Sequence, residues 1–232
     1  MKVVCFDLDD TLCKEIEYLK SAYREIACYA VQQCTGTNVP IQVLEVKAFE
    51  AMLEAYQTGN NAFEALNAFL GLEVPVAEML QMYREHKPDI VLDEYSVETL
   101  NSLKTEGCVF GLITDGRSVQ QRNKILALDL QRWFDLKDIV ISEEFGSEKP
   151  CQDNYAYFMD RYPSASFTYV GDNPKKDFFG ANALGWDTVC LLDDGRNIHK
   201  QEFEKYNEEY QPKYKISKIS ELLRIKEYGV GE

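Results

Sequence analysis

The stretch Val3-Val4-Cys5-Phe6-Asp7-Leu8-Asp9-Asp10-Thr11 decides how the rest of the chain is read. Its four leading residues are apolar on both faces, the pattern of a strand buried in a parallel sheet that helices cover on either side. Three aspartates follow at once. In an open α/β sheet, ligands bind outside the carboxyl ends of the strands, so Asp7 and Asp9 are expected to project into that crevice. Taken alone, the stretch also fits a helix cap at Asp10 or Thr11 with the other aspartates solvated. The remaining strand ends decide between these two readings.

Working outward, short apolar runs recur at 108–113, 139–141, 167–170 and 188–192. Helical periodicity fills the intervals at 97–106, 119–128, 152–162 and 174–184, the last with Pro174 in its first turn and Gly185 just beyond its end. This alternation predicts an α/β fold with a doubly wound, mainly parallel sheet. About a hundred residues separate Phe6 from Cys108, far more than one crossover helix needs. Within that interval Ile16, Leu19, Tyr23, Ile26, Ala30 and Cys34 keep three-and-four spacing, as do Leu44, Ala48, Met52 and Tyr56 after Pro40. Helices also fit at 61–70 and 76–86. The expected organisation is an α/β body, 1–13 and 89–232, interrupted by an all-helical insert, 14–88. A turn at Asp193-Asp194-Gly195, a polar helix at 200–210 and a strand and helix at 214–226 close the chain.

Composition removes several function classes. Lys plus Arg number 25 against 39 Asp plus Glu, a net charge of −14, so nucleic acid and anionic membranes would be repelled over most of the surface. With 45% hydrophobic residues, 13 Gly and 7 Pro, the chain is neither disordered nor collagen-like. Its 232 residues suffice to bury roughly 70% of the extended surface. The seven cysteines form no C-x-x-C pair and read as small buried hydrophobes in a reducing compartment, so the expected location is cytoplasmic. No signal peptide or membrane span is expected: the N-terminal run meets Asp7 early, and the uncharged stretch 26–44 carries Gln, Thr, Asn, Gly and Pro. Only His86 and His199 are present, which nearly excludes a histidine-ligated zinc and points catalysis towards carboxylates.

Three further strand ends carry polar residues. Thr114-Asp115-Gly116-Arg117 follows the second apolar run, Lys149-Pro150 comes after the third, and Gly171-Asp172-Asn173-Pro174-Lys175-Lys176-Asp177 follows the fourth. Singly they would be a turn, an exposed lysine and a capped helix. Four strand ends, each bearing a group suited to phosphate or metal, argue jointly for a site.

As a set, Asp7 to Thr11 (DxDxT), Thr114 after its apolar run, Lys149, and Asp172 with Asp177 resemble the four motifs of the haloacid dehalogenase superfamily. The branch is that of phosphatases with a helical cap inserted after the first motif, similar to phosphoglycolate phosphatases and nucleotidases. The resemblance covers the whole chain and includes Glu143, Glu144 and the segment from Gly180-Ala181 to Gly185-Trp186. It implies a Rossmann-like core in which Asp7 is the nucleophile that becomes an aspartyl-phosphate, with Asp9 as general acid and then base. Thr114, Asp115 and Lys149 would hold the phosphoryl group. Mg²⁺ would be bound by Asp7 and Asp172 through side chains, by Asp9 through its backbone carbonyl, and by Asp177 through water.

The chemistry has physical grounds. A phosphate ester meeting a carboxylate 4 Å away is repelled by about 4 kcal/mol at an effective dielectric near 20, so a divalent cation is needed, and oxygen-only ligands select Mg²⁺. Asp9 must be protonated when substrate arrives, which a neighbouring carboxylate would favour. An aspartate two after the nucleophile also sets this chain apart from the metal-independent dehalogenases of the family.

The expected activity is Mg²⁺-dependent hydrolysis of a small phosphorylated metabolite by a monomer or homodimer, with no nucleic acid or membrane partner. The alternatives are a phosphomutase on the same scaffold and, from another class, a receiver-like signalling domain whose aspartyl-phosphate is the output. Motif order, the long insert and Asp9 argue against the receiver. Candidates for holding the leaving group are Tyr18, Tyr23, Arg24, Tyr56, Asn60, Arg84, His86 and Arg117. Asp193 and Asp194 read as a turn.

Overall fold

The structure, a computed structural model, describes residues 1–34 and 38–225. Two compact units emerge, Met1–Ile16 with the chain from Val91 onward, and Glu17–Ile90. Among the described residues six strands form one sheet: β1 (Lys2–Phe6), β2 (Val109–Thr114), β3 (Ile139–Ile141), β4 (Ser166–Gly171), β5 (Asp187–Leu191) and β6 (Tyr214–Ile216). The helices are α1 (Glu15–Val31), α2 (Ile41–Gln57), α3 (Ala62–Leu70), α4 (Val76–Glu85), α5 (Glu94–Thr105), α6 (Ser118–Ala127), α7 (Ser142–Phe145), α8 (Asp153–Arg161) and α9 (Phe179–Ala183).

The sheet order is β3-β2-β1-β4-β5-β6 and every pairing is parallel. The chain therefore winds outward from β1 in one direction and, from β4, in the other. The reversal falls between β1 and β4, where an α/β sheet opens its ligand crevice. Asp7 sits there, with its N–H still donating to the Val170 carbonyl at 2.8 Å as if the ladder ran one residue further.

Alternation along β1 sends Val3 and Cys5 to one face and Val4 and Phe6 to the other, and all four are buried. The first pair packs with Ile113, Tyr155, Phe158, Tyr169 and Trp186. Phe6 meets Phe110 and Phe134 edge-on at 6.0 and 6.1 Å. Gly111 in β2 is a packing requirement, since a Cβ there would lie 2.4 Å from the Phe158 ring and 2.5 Å from Cys5 Sγ.

In the helical unit, the Tyr23 ring lies against Tyr56, Phe63 and Tyr83 at 6.1–6.5 Å. Asn61 caps α3 by accepting from the N–H groups of Phe63 and Glu64. The Tyr18 hydroxyl donates to the Tyr83 carbonyl, and Arg24 lies 4.8 Å over the Phe49 ring. His86 is buried between Ser21, 2.7 Å from its Nε2, and Glu25 at its Nδ1, while the Asp89 N–H donates to the same Ser21 hydroxyl. No helix among the described residues is long and apolar enough to cross a membrane.

Three expected helices are corrected. Only Phe179–Ala183 of 174–184 is α-helical, because the Asp177 carboxylate turns back onto the N–H groups of Asp172 and Asn173 and holds 174–178 in turns. In place of a helix at 200–210 stand two 3-10 turns, Phe203–Lys205 and Glu208–Tyr210; the Gln211 amide takes the carbonyls of Phe203 and Tyr206 that a helix would use. The last helix is a 3-10 segment, Ile219–Arg224, and Lys226 lies outside the described residues.

Gly111→Ala should lower stability by roughly 1–3 kcal/mol through overpacking, read as the urea midpoint. An unchanged midpoint would contradict the packing described for β2 and α8.

Candidate active site

At the carboxyl edge of the sheet, Lys149 sits between two carboxylates. Its Nζ is 2.7 Å from Asp7 Oδ1 and 2.7 Å from Asp177 Oδ1, and it donates to the Tyr169 hydroxyl at 3.0 Å. The Lys149 backbone N–H donates to Asp115 Oδ1, so the turn after β2 orients the loop that carries this lysine. Asp177 is wholly buried, and its Oδ2 accepts from the backbone of Asp172 and Asn173. That turn needs Gly171, because a Cβ there would meet Asp177 Oδ2 at 2.5 Å. Asp172 accepts from the Asn197 amide at 2.8 Å.

Asp7, Asp9, Thr114, Asp115, Lys149, Asp172 and Asp177 all line one pocket of about 150 Å³, together with Asp10, Glu15, Asn173, Lys176 and His199. Asp10 acts as the cap that the first aspartate run also suggested: its carboxylate accepts from Glu15 N–H at the start of α1 and from Ile198 N–H. Arg117 is exposed and paired with Glu143, outside that lining, and Arg84 is exposed. Asp193 forms the expected turn, accepting from the N–H groups of Gly195, Arg196 and Asn197.

The charges explain what the site can hold. Burial, with Asp177 and Asp9 adding repulsion against the pull of Lys149, raises the Asp7 carboxyl to about 8. Burial and then repulsion from Asp177 and Asp7 raise Asp172 to about 9. Burial works against the Lys149 ammonium too, but Asp177, Asp7 and Asp115 outweigh it and keep it charged. One oxygen from each of Asp7, Asp172 and Asp177 lies within 4.8 Å of the others. Three buried carboxyl groups around one ammonium cannot all ionise near neutral pH without a further positive charge, and the donors are all oxygen. That set fits a hard divalent cation such as Mg²⁺.

Asp9 departs from expectation. Its hydrogen-bonding neighbours are not a carboxylate but the Lys124 ammonium, 2.6 Å from Oδ1, and the Gln121 amide, 2.9 Å from Oδ2. Sequence reasoning missed both, along with Tyr169 and Asn197. A signal existed for the pair on α6, since Gln121, Lys124 and Ile125 occupy a single buried stripe where apolar residues are the norm. A tyrosine within a buried strand likewise calls for a hydroxyl partner. Asn197, in a loop, leaves no comparable trace.

A family profile described as haloacid dehalogenase-like hydrolase matches residues 1–185. The chain belongs to this family. Among relatives of the hydrolase, the glyceraldehyde 3-phosphate phosphatase of Methanocaldococcus jannaschii is 28% identical, with 97% of this chain and 96% of that protein covered. A magnesium-bound crystal structure of YfnB from Bacillus subtilis, a protein described as a HAD-hydrolase, has the same fold, with a TM-score of 0.64, 24% identity and 97% of each chain covered. A HAD phosphatase from Thermococcus onnurineus shares it as well, with a TM-score of 0.56, 20% identity and 97% of each chain covered.

The raised carboxyls dictate a pH dependence. Asp7 and Asp172 titrate near 8 and 9 when folded and near 3.8 when unfolded, so the unfolded chain releases their protons first. Their contribution is therefore intact below about pH 4 and is lost as pH rises to about 8–9. Without divalent cation the melting temperature should fall across that window. Mg²⁺ at a hundredfold its Kd would restore about 2.7 kcal/mol, with a larger gain in melting temperature at pH 8.5 than at pH 6. A gain independent of pH would contradict this assignment of the carboxylates.

Proposed function

We propose that this phosphoric monoester hydrolase works through an aspartyl-phosphate on Asp7, with Mg²⁺ as its cation and a small phosphorylated metabolite as its substrate. The observation that supports this most is the Asp7 carboxylate at the end of β1, pinned at 2.7 Å by the Lys149 ammonium beside two further buried carboxylates. Glyceraldehyde 3-phosphate phosphatases and a ribulose-1,5-bisphosphate 5-phosphatase among the relatives favour a small sugar phosphate.

In the first step an Asp7 oxygen bonds to phosphorus as the bond to the leaving oxygen breaks, and Asp9 gives that oxygen a proton. In the second, Asp9 takes a proton from water, whose oxygen attacks phosphorus and returns Asp7 as a carboxylate. Lys149 and the Thr114 hydroxyl donate to the transferring oxygens, contacts typically worth roughly 3–4 kcal/mol each in the transition state. Mg²⁺ held by Asp7, Asp172 and the Asp9 backbone would supply charge neutralisation between phosphate and carboxylates. Asp177 serves this arrangement by fixing Lys149 and the Asp172 backbone.

Hydrolysis of p-nitrophenyl phosphate should require Mg²⁺, stop on chelation and fall by roughly a thousandfold or more in Asp7→Asn. A panel of sugar phosphates of increasing length should then favour short ones by kcat/KM. Turnover indifferent to chelator and to Asp7→Asn would sink the proposal.

A further inference from the structure

Helix α6 carries a second feature beyond its place beside β2. Its buried stripe holds Gln121 and Lys124, 2% and 1% exposed and one turn apart. Lys124 Nζ donates to one Asp9 oxygen at 2.6 Å and Gln121 Nε2 to the other at 2.9 Å. The same Gln121 nitrogen lies 2.7 Å from Thr114 Oγ1 and 2.8 Å from the Asp115 carbonyl. A carboxylate on a short side chain turns easily about its last torsion. Here both oxygens are held by donors from one helix, 112 and 115 residues away in the chain.

The approach is built into the surrounding backbone. Gly116, at φ 141°, has no Cβ to crowd the Gln121 side chain, which a Cβ there would meet at 3.3 Å. The first turn of α6 is tied to α7: Ser118 N–H donates to Glu143 at 2.7 Å, and Arg122 pairs with Glu144. An apolar side chain at 124 would pack on the stripe without the desolvation that an ammonium incurs. What the ammonium adds is its hold on Asp9.

We propose that Gln121 and Lys124 are positioning residues, which aim the Asp9 carboxyl at the leaving-group oxygen and register it against Thr114, the hydroxyl that donates to the phosphoryl oxygens. The assignment rests on the acid–base role of Asp9 in the reading above. Neither residue touches the substrate. Loss of the Lys124 arm therefore impairs proton delivery and leaves phosphoryl binding intact.

The test compares kcat/KM for p-nitrophenyl phosphate, whose leaving group departs without a proton, and for glycerol 3-phosphate, whose alkoxide needs one. Lys124→Met, Lys124→Arg and Gln121→Leu are assayed in the full chain with Mg²⁺. Lys124→Met and Gln121→Leu should lose roughly tenfold or more additional efficiency on the alkyl ester, with inhibition by inorganic phosphate unchanged in Lys124→Met, and Lys124→Arg should recover part of the loss. Equal losses on both esters, or none, would overturn the clamp. Should Lys124→Met fail to fold, Gln121→Leu decides by the same ratio. Asp7→Asn run in parallel separates the two proposals: its full activity defeats the aspartyl-phosphate reading, whereas its inactivity beside equal ester losses defeats only the clamp.

Discussion

The Lys149 ammonium, buried at 2.7 Å from both Asp7 and Asp177, is the contact on which the arrangement of the strand ends depends. Asp7 extends β1, Asp177 closes the turn that follows β4, and Lys149 stands in the loop after α7, so one charge gathers three separate segments. Burying such charges is costly unless each is paired and hydrogen-bonded, and removal of one partner typically costs about 3–5 kcal/mol. Lys149 meets that condition through two carboxylates and the Tyr169 hydroxyl. Even so, one positive charge does not keep Asp7, Asp172 and Asp177 ionised together. A divalent cation would supply the missing positive charge.

This local balance reconciles a chain of net charge −14 with an anionic substrate. Long-range repulsion from exposed acids is screened within about 8–10 Å at physiological salt, whereas interactions inside a buried pocket are screened far less. Lys149, Lys176 and a bound cation therefore set the potential that a phosphate ester meets. Lys176 is itself paired with Asp115 at 2.8 Å, which offsets the charge of the turn after β2.

Much of this was legible in the chain because the controlling signals are local. A strand apolar on both faces, followed at once by aspartates, identifies both the sheet and its functional edge, and the same logic found Thr114, Lys149, Asp172 and Asp177. Failures came where a side chain captures backbone groups that a helix would use, or reaches across the fold. Asp177 turns back to its own backbone and removes helix from 174–178, although Pro174 and Gly185 punctuate a helix well. Gln211 does the same to 200–210. Lys124 went unnoticed because its partner, Asp9, is 115 residues distant. Asp9 was expected to lean on a carboxylate, and only the three-dimensional placement of α6 puts an ammonium there.

Asp7 is the proposed carrier of the phosphoryl group, and the decisive measurement is to quench the enzyme in acid during turnover with Mg²⁺, reduce with borohydride and map the peptide that contains Asp7 by mass spectrometry. An acyl phosphate on Asp7 would be reduced to homoserine, so the predicted result is that mass change at Asp7, absent without substrate. Covalent phosphate on another residue, or turnover with no protein-bound phosphoryl group at any time, would contradict it.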